Sequence, residues 1–136
     1  MATRSTIALE FADGTVGQVY CHWDGYLSHN GKILQNNYLD PFKLQELIDL
    51  GDLSILHANI GEKHDFNDHE YKSGCTFYGR DRNEDGVKAR YFKDFDSYNR
   101  GAQFEEYNYI LRQVDGQAVW FVTDEEGFVE LAKLTT

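Results

Sequence analysis

Asp115-Gly116 stands between two runs, 107–114 and 117–123, in which apolar residues occupy both parities. Asp-Gly is the signature of a two-residue hairpin loop, because a type I′ turn needs positive φ at both central positions. A loop of that length fixes the register. Leu111 then faces Trp120 and Tyr109 faces Val122 on one side, while Ile110 meets Phe121 on the other. A ribbon with one wet face alternates polar and apolar residues, and this one does not. It belongs in the middle of a sheet covered on both sides.

The N-terminal third supplies a second hairpin. Ile7, Leu9 and Phe11 alternate with polar neighbours, Ala12-Asp13-Gly14 marks a turn, and residues 15–23 return with Val19, Cys21 and Trp23 on one face. Gln18, Tyr20 and His22 take the other face, and Gly17 breaks the parity as a bulge would. Residues 31–39 read as a short helix. A second helix is better marked, with Asp40 as N-cap, Pro41 at the first position, Leu44, Leu47 and Ile48 as the apolar stripe and Gly51 past the end. Residues 75–78 and 88–92 read as strands around the turn-rich Asp81–Gly86, with 94–103 a loop or helical turn. Phe128, Leu131 and Leu134 form an amphipathic end. With no βαβ alternation, the expected fold is α+β, an antiparallel sheet with two short helices packed on one face, and 1–136 a single globular domain.

A chain of 136 residues can build one core and not two. Thirteen basic against 23 acidic residues give a net charge of −10, which disfavours direct nucleic-acid binding because that binding depends on cations at phosphates. The basic groups concentrate between Arg80 and Arg100 among acids, so the negative excess lies elsewhere. No apolar run approaches the roughly 20 residues of a bilayer span, so no membrane is expected. The first residues carry no apolar signal core, and the expected compartment is the cytoplasm, with Cys21 and Cys75 as free thiols.

Residues 20–26, Tyr-Cys-His-Trp-Asp-Gly-Tyr, gather the densest chemistry in the chain. His22 beside Asp24 has the makings of an acid–base pair, but no nucleophile or metal set completes it. The alternative is a structural corner, with Trp23 and Tyr26 closing the core. Arg80-Asp81-Arg82 could grip a phosphate or carboxylate, more so if Arg80 folds toward His22, or could pair with neighbouring acids in a solvated loop. Glu105-Glu106 and Asp124-Glu125-Glu126 form acidic patches that suit protein binding beside tyrosines. Asp81-x-Asn83-x-Asp85-Gly86 imitates the start of a calcium loop but lacks the closing glutamate, because Phe92 holds its place. His57, His64, Asp65, Asp68, His69 and Cys75 carry no fixed ligand spacing. No metal and no cofactor are expected.

The phrases Arg4-Ser5-Thr6-Ile7, Asp13-Gly14-Thr15-Val16, Tyr20–Tyr26, Leu47–Ser54 and Tyr78-Gly79-Arg80-Asp81-Arg82, in this order, resemble a family of small bacteriophage and prophage proteins of unassigned function. The likeness covers residues 3 to about 110, and the Cys-His-Trp-Asp-Gly-Tyr phrase is specific to it. It implies an accessory role in the host cell cytoplasm and brings no catalytic residues. The expectation is a non-enzymatic protein that binds a host or phage protein through an acidic surface, with inhibition of host defence among its roles. Its candidate contacts are His22, Trp23, Asp24, Tyr26, Arg80, Asp81, Arg82, Glu105 and Glu106. The alternative is a binder or hydrolase of a small anionic ligand such as a nucleotide. Self-association through an open sheet edge is the third reading.

Overall fold

The computed structural model describes residues 3–68, 70–101, 105–124 and 127–135. His69, Glu125, Glu126 and positions 102–103 of the predicted loop lie outside them. In chain order the elements are β1 (Ser5–Glu10), β2 (Val16–Cys21), a π-helical turn (Leu27–Gly31) running into α1 (Lys32–Asn37), α2 (Pro41–Leu50) and β3 (Leu53–Ile55). Then follow β4 (Thr76–Phe77), α3 (Tyr78–Arg82), β5 (Arg90–Phe92), α4 (Phe95–Gly101), β6 (Tyr107–Val114), β7 (Gln117–Asp124), β8 (Gly127–Glu130) and α5 (Ala132–Thr135).

Local signals give the elements their ends. Asp115 (φ +52°) and Gly116 (φ +81°) make the left-handed pair between β6 and β7, and Tyr109/Val122, Ile110/Phe121 and Leu111/Trp120 pair as the turn length predicts. The Asp40 carboxylate accepts the Phe42 N–H at 2.9 Å, and Gly51 ends α2 at φ +88°. β1 and β2 pair antiparallel from Ser5/Cys21 to Glu10/Val16. Gly17 is no bulge, since it pairs regularly with Leu9. A Cβ there would stand 3.0–3.2 Å from Tyr91, Phe11 and Ile48, so the missing side chain makes room for α2 and β5.

The sheet corrects the antiparallel expectation. Its strand order is β4-β3-β2-β1-β6-β7-β8, with β5 also paired to β2. β1 runs parallel to β6, Ser5 opposite Tyr107 and Leu9 opposite Leu111, and β2 runs parallel to β3, so the sheet is mixed. Alternation tells which face a residue takes, and it is identical for either strand direction. The strands expected to form a hairpin around residue 83 do not pair with each other. β4 joins β3 and β5 joins the start of β2. Between them the chain makes α3, closed by Asn83 in the left-handed region at φ +56°, so Arg80-Asp81-Arg82 lies on a helical turn rather than a hairpin tip.

Two apolar clusters lie on opposite parities of the strands. Ile7, Leu9, Val19, Cys21, Tyr109, Leu111, Trp120 and Val122 join Leu34, Leu44, Leu47 and Ile48 in the larger one. Ala8, Val16 and Ile110 join Tyr98 of α4 in the smaller, with Phe92, Phe95, Phe121 and Phe128 against them. The ribbon of β6 and β7 is therefore apolar on both sides, as its sequence requires. Phe128 is drawn into β8, and Leu131 is buried after it.

Candidate functional site

Beyond β2 the chain bends through a tightly bonded corner. The N–H groups of His22 and Trp23 donate to Leu53 O (3.1 Å) and Ser54 O (3.0 Å). Asp24 takes the left-handed conformation at φ +59°, and Gly25 N–H donates to Thr3 O at 2.8 Å. Tyr109 Oη donates to Gly25 O at 2.6 Å from the opposite side of the core. Buried Asn30 lies beneath, its amide nitrogen within 3.3–3.4 Å of Trp23 O, Cys21 Sγ and Ser5 Oγ. Trp23 and Tyr26 do not close the core. They stand 42% and 39% exposed, while Asn30 and Tyr109 fill the inside of the corner.

His22 leads from this corner to the sheet parity opposite the larger cluster. Its ring meets Trp23 edge-on at 4.7 Å, and its Nδ1 is hydrogen-bonded to Tyr20 Oη at 2.7 Å. Tyr20 is half-buried, and its N–H donates to Asp52 Oδ1 at 2.8 Å. Tyr78 follows just after β4, with its N–H donating to Asp52 O at 3.3 Å. Burial raises the Tyr20 pKa, Arg4 opposes that shift, and Tyr78 and Glu105 add to it, so all three lie within electrostatic reach. Phe66 packs 5.5 Å from Tyr78, and the Arg82 guanidinium caps both rings at 4.5 and 4.9 Å while pairing with Glu84. The sequence puts His22 and Trp23 among the candidate contacts and Tyr20 on the face of His22 without a contact role, and it gives Tyr78 and Phe66 none. Tyr20 shares the parity of His22, a signal present in the strand.

Arg80 is not part of this array. Its Nε and Nη2 donate to Asp81 (3.0 and 3.3 Å), Nη2 also to Cys75 O (2.8 Å), and Nη1 to Ile60 O and Gly61 O (3.2 and 3.1 Å). Buried Asp81 accepts the Phe77 N–H at 2.7 Å and the His64 N–H at 3.1 Å. His64 stacks on Tyr71 at 3.5 Å and bonds Thr76 Oγ1 at 3.1 Å. Asp81 and Arg80 thus clasp the segment 57–75 onto β4. Among the described residues no hydrogen bond or ring contact joins Arg80 to His22 or Tyr26. A cleft of about 340 Å³ opens beside α3, with Asp49, Glu84 and Asp85 set against Arg80 and Lys88 around Leu50 and Val87.

Other reactive groups are structural. Burial pushes the Cys21 thiol up to about 12 and raises Cys75 as well, so neither is a thiolate at neutral pH. Among the described residues no three His, Cys, Asp or Glu side chains converge to hold a metal, and no helix is long and apolar enough to cross a membrane. Glu105 is half-buried, bonded through its carbonyl to Asn108 Nδ2 at 2.9 Å, and Glu106 is exposed beside it.

His57 gives a pH signature. Burial first, then His29 and Lys72, hold its pKa below the ordinary 6.5. As pH falls through 6.5 the unfolded chain takes up the proton before the folded one, so stability declines from there toward the lower folded pKa. The backbone of His57 donates to Cys75 Sγ and accepts from Tyr38 Oη, bonds that His57→Gln retains. Urea midpoints between pH 7 and 5 should fall less steeply for His57→Gln than for the wild type. Equal slopes would remove His57 as their cause.

No family model matches the chain, and neither does any curated protein or solved structure.

Proposed function

We propose that this chain is a phage-type accessory protein that binds a host macromolecule without catalysis, using the ring-lined, acid-rimmed end of its sheet, with interference in host defence as its role. In this reading α1 and α2 cover one face of the sheet, α4 covers part of the other through Tyr98, and only the stretch of that parity around Tyr20 and His22 is left to the partner. One observation carries the proposal: Trp23 and Tyr26 project from a corner whose backbone is bonded on every side. Exposed aromatic rings on a rigid frame supply contact area at low entropic cost. His22, the best acid–base candidate, is bonded to the Tyr20 hydroxyl, which burial holds in its protonated, weakly nucleophilic form. The net charge of −10 favours a basic partner and strengthens capture at low salt. The nucleotide reading loses its anchor, because Arg80 spends its donors on Asp81 and three carbonyls.

The test is quantitative capture from bacterial lysate at low salt with wild type, Trp23→Ala, Tyr26→Ala and Phe42→Ser, the last at an 82% exposed ring in α2. Each corner variant should lose about tenfold or more in partner affinity, as aromatic hot spots do, with the melting temperature unchanged. Phe42→Ser should bind as the wild type does. Equal capture by all four proteins, or turnover of a metabolite that His22→Ala abolishes, would overturn the proposal.

A further inference from the structure

We propose that the strip of rings from Trp23 through His22, Tyr20 and Tyr78 to Phe66 is a docking track for an extended, basic, proline-rich peptide. This names the chemistry of the partner and rests on the binding function proposed above. The strip has two stretches of ring contact, Trp23 to His22 at 4.7 Å with His22 to Tyr20 at 6.0 Å, and Phe66 to Tyr78 at 5.5 Å; between them the backbone N–H groups of Tyr20 and Tyr78 both bond Asp52, and the two phenols lie within electrostatic reach. Each of these residues is half-buried or exposed; Arg82 already lies over Phe66 and Tyr78 at 4.5 and 4.9 Å, so the peptide docks chiefly on Trp23, His22 and Tyr20.

The backbone beneath decides which peptide conformation can use such a strip. β2 is paired with β1 on one side and with β3 and β5 on the other, and β3 with β2 and β4. The main-chain groups of β2 and β3 are already spent on ladders, and β4 at the sheet edge is only two residues long, so strand addition has little to build on here. A ligand along β2 and β3 is held by side chains. Polyproline II suits that requirement, because it forms no internal hydrogen bonds, is extended before binding and lays pyrrolidine rings against aromatic faces.

Charge selects the flanking residues. Asp24 follows Trp23, Glu105 acts electrostatically on Tyr20, and exposed Glu106 lies next to it. Arg82 is paired with Glu84 and Arg90 with Asp52, and Arg4 stands against the remaining acids as a cation within reach of Tyr20. The rim therefore keeps a carboxylate excess for arginines placed between the prolines. Single-stranded nucleic acid also stacks on aromatic strips, but it needs a cationic groove to carry its phosphates.

Intrinsic fluorescence provides the readout. The protein has two tryptophans, and Trp120 is buried with its Nε1 donating to Tyr38 O at 3.0 Å, so a change on titration reports Trp23. The probes are synthetic peptides of about twelve residues, four turns of polyproline II, repeating Arg-Pro-Pro, Arg-Gly-Gly or Glu-Pro-Pro, together with an oligothymidylate of similar length. Arg-Pro-Pro should shift the Trp23 signal saturably. Arg-Gly-Gly, equal in charge, should bind about tenfold or more weakly, since it must first be ordered. Glu-Pro-Pro and the oligonucleotide should leave the signal unchanged.

Tyr20→Ala should weaken the Arg-Pro-Pro titration by about tenfold, a hot-spot loss, and Tyr20→Phe, which keeps the ring, should weaken it less. Phe42→Ser should match the wild type. Equal binding of the two arginine peptides, no binding of either, or tighter binding of the oligonucleotide would each overturn the inference. If corner-dependent lysate capture persists while Arg-Pro-Pro fails, this inference alone falls. If capture also fails, the functional proposal falls with it.

Discussion

Asp81→Ala is expected to lower the unfolding free energy by about 3–5 kcal/mol, the cost of removing one partner of a buried ion pair. The carboxylate is fully buried and serves four donors: the Phe77 and His64 N–H groups at 2.7 and 3.1 Å, and Arg80 through Nε and Nη2 at 3.0 and 3.3 Å. Truncation strands a guanidinium whose side chain is 12% exposed, along with two main-chain donors. His64 loses its backbone bond to Asp81 while its ring bond to Thr76 remains, so the loss should appear both in the urea midpoint and in faster amide exchange near His64. Asp81→Asn separates charge from hydrogen bonding. One oxygen can still accept from Arg80 and His64, but an amide NH₂ must then face the Phe77 N–H donor. Its stability should fall between those of wild type and Asp81→Ala. A loss below about 1 kcal/mol for Asp81→Ala would mean that the pair behaves as a solvent-exposed one.

The clasp illustrates what the sequence made legible and what it did not. Asp115-Gly116 announced its hairpin and register because turn chemistry is local, and Asp40, Pro41 and Gly51 bounded α2 for the same reason. The pairing of β1 with β6 joins residues about a hundred positions apart, and Ile7 and Leu9 read the same beside a parallel or an antiparallel neighbour. Arg80 and Asp81 were visible as charges, but adjacency does not reveal that Asp81 would be buried between His64 and Phe77. Asn83 carried a usable signal, since asparagine tolerates the left-handed conformation that ends α3. At the corner, composition singles out residues 20–26 and leaves open which way their rings face. Of the two readings, core corner or contact surface, the exposure of Trp23 and Tyr26 goes against the first, and Asn30, a less conspicuous residue, fills the inside because its amide can meet the corner's acceptors.

Gly25→Ala should couple the two halves of this account, stability and binding, at one atom. A Cβ at position 25 would lie 2.7 Å from Ser5 Cβ, 2.9 Å from Ser5 Oγ and 2.9 Å from Thr3 O. Two of these belong to the short Ser5 side chain and the third to backbone, so none can swing away as the end of a long side chain would. Either β1 shifts at its first residue or the corner lifts from it. Lifting stretches the Gly25 N–H bond to Thr3 O, while Tyr109 Oη holds the same residue from within at 2.6 Å. Overpacking of this kind costs about 1–3 kcal/mol. The functional loss should be disproportionate, because Trp23 and Tyr26 flank the glycine and both rings are displaced together. Partner capture should fall by more than in Trp23→Ala, while far-UV circular dichroism stays native. Tyr109→Phe makes the complementary change, deleting the inner bond without adding volume, and should loosen the corner with a smaller loss of capture. If Gly25→Ala melts and binds as the wild type does, the corner yields without consequence, and rigidity is not what presents the two exposed rings.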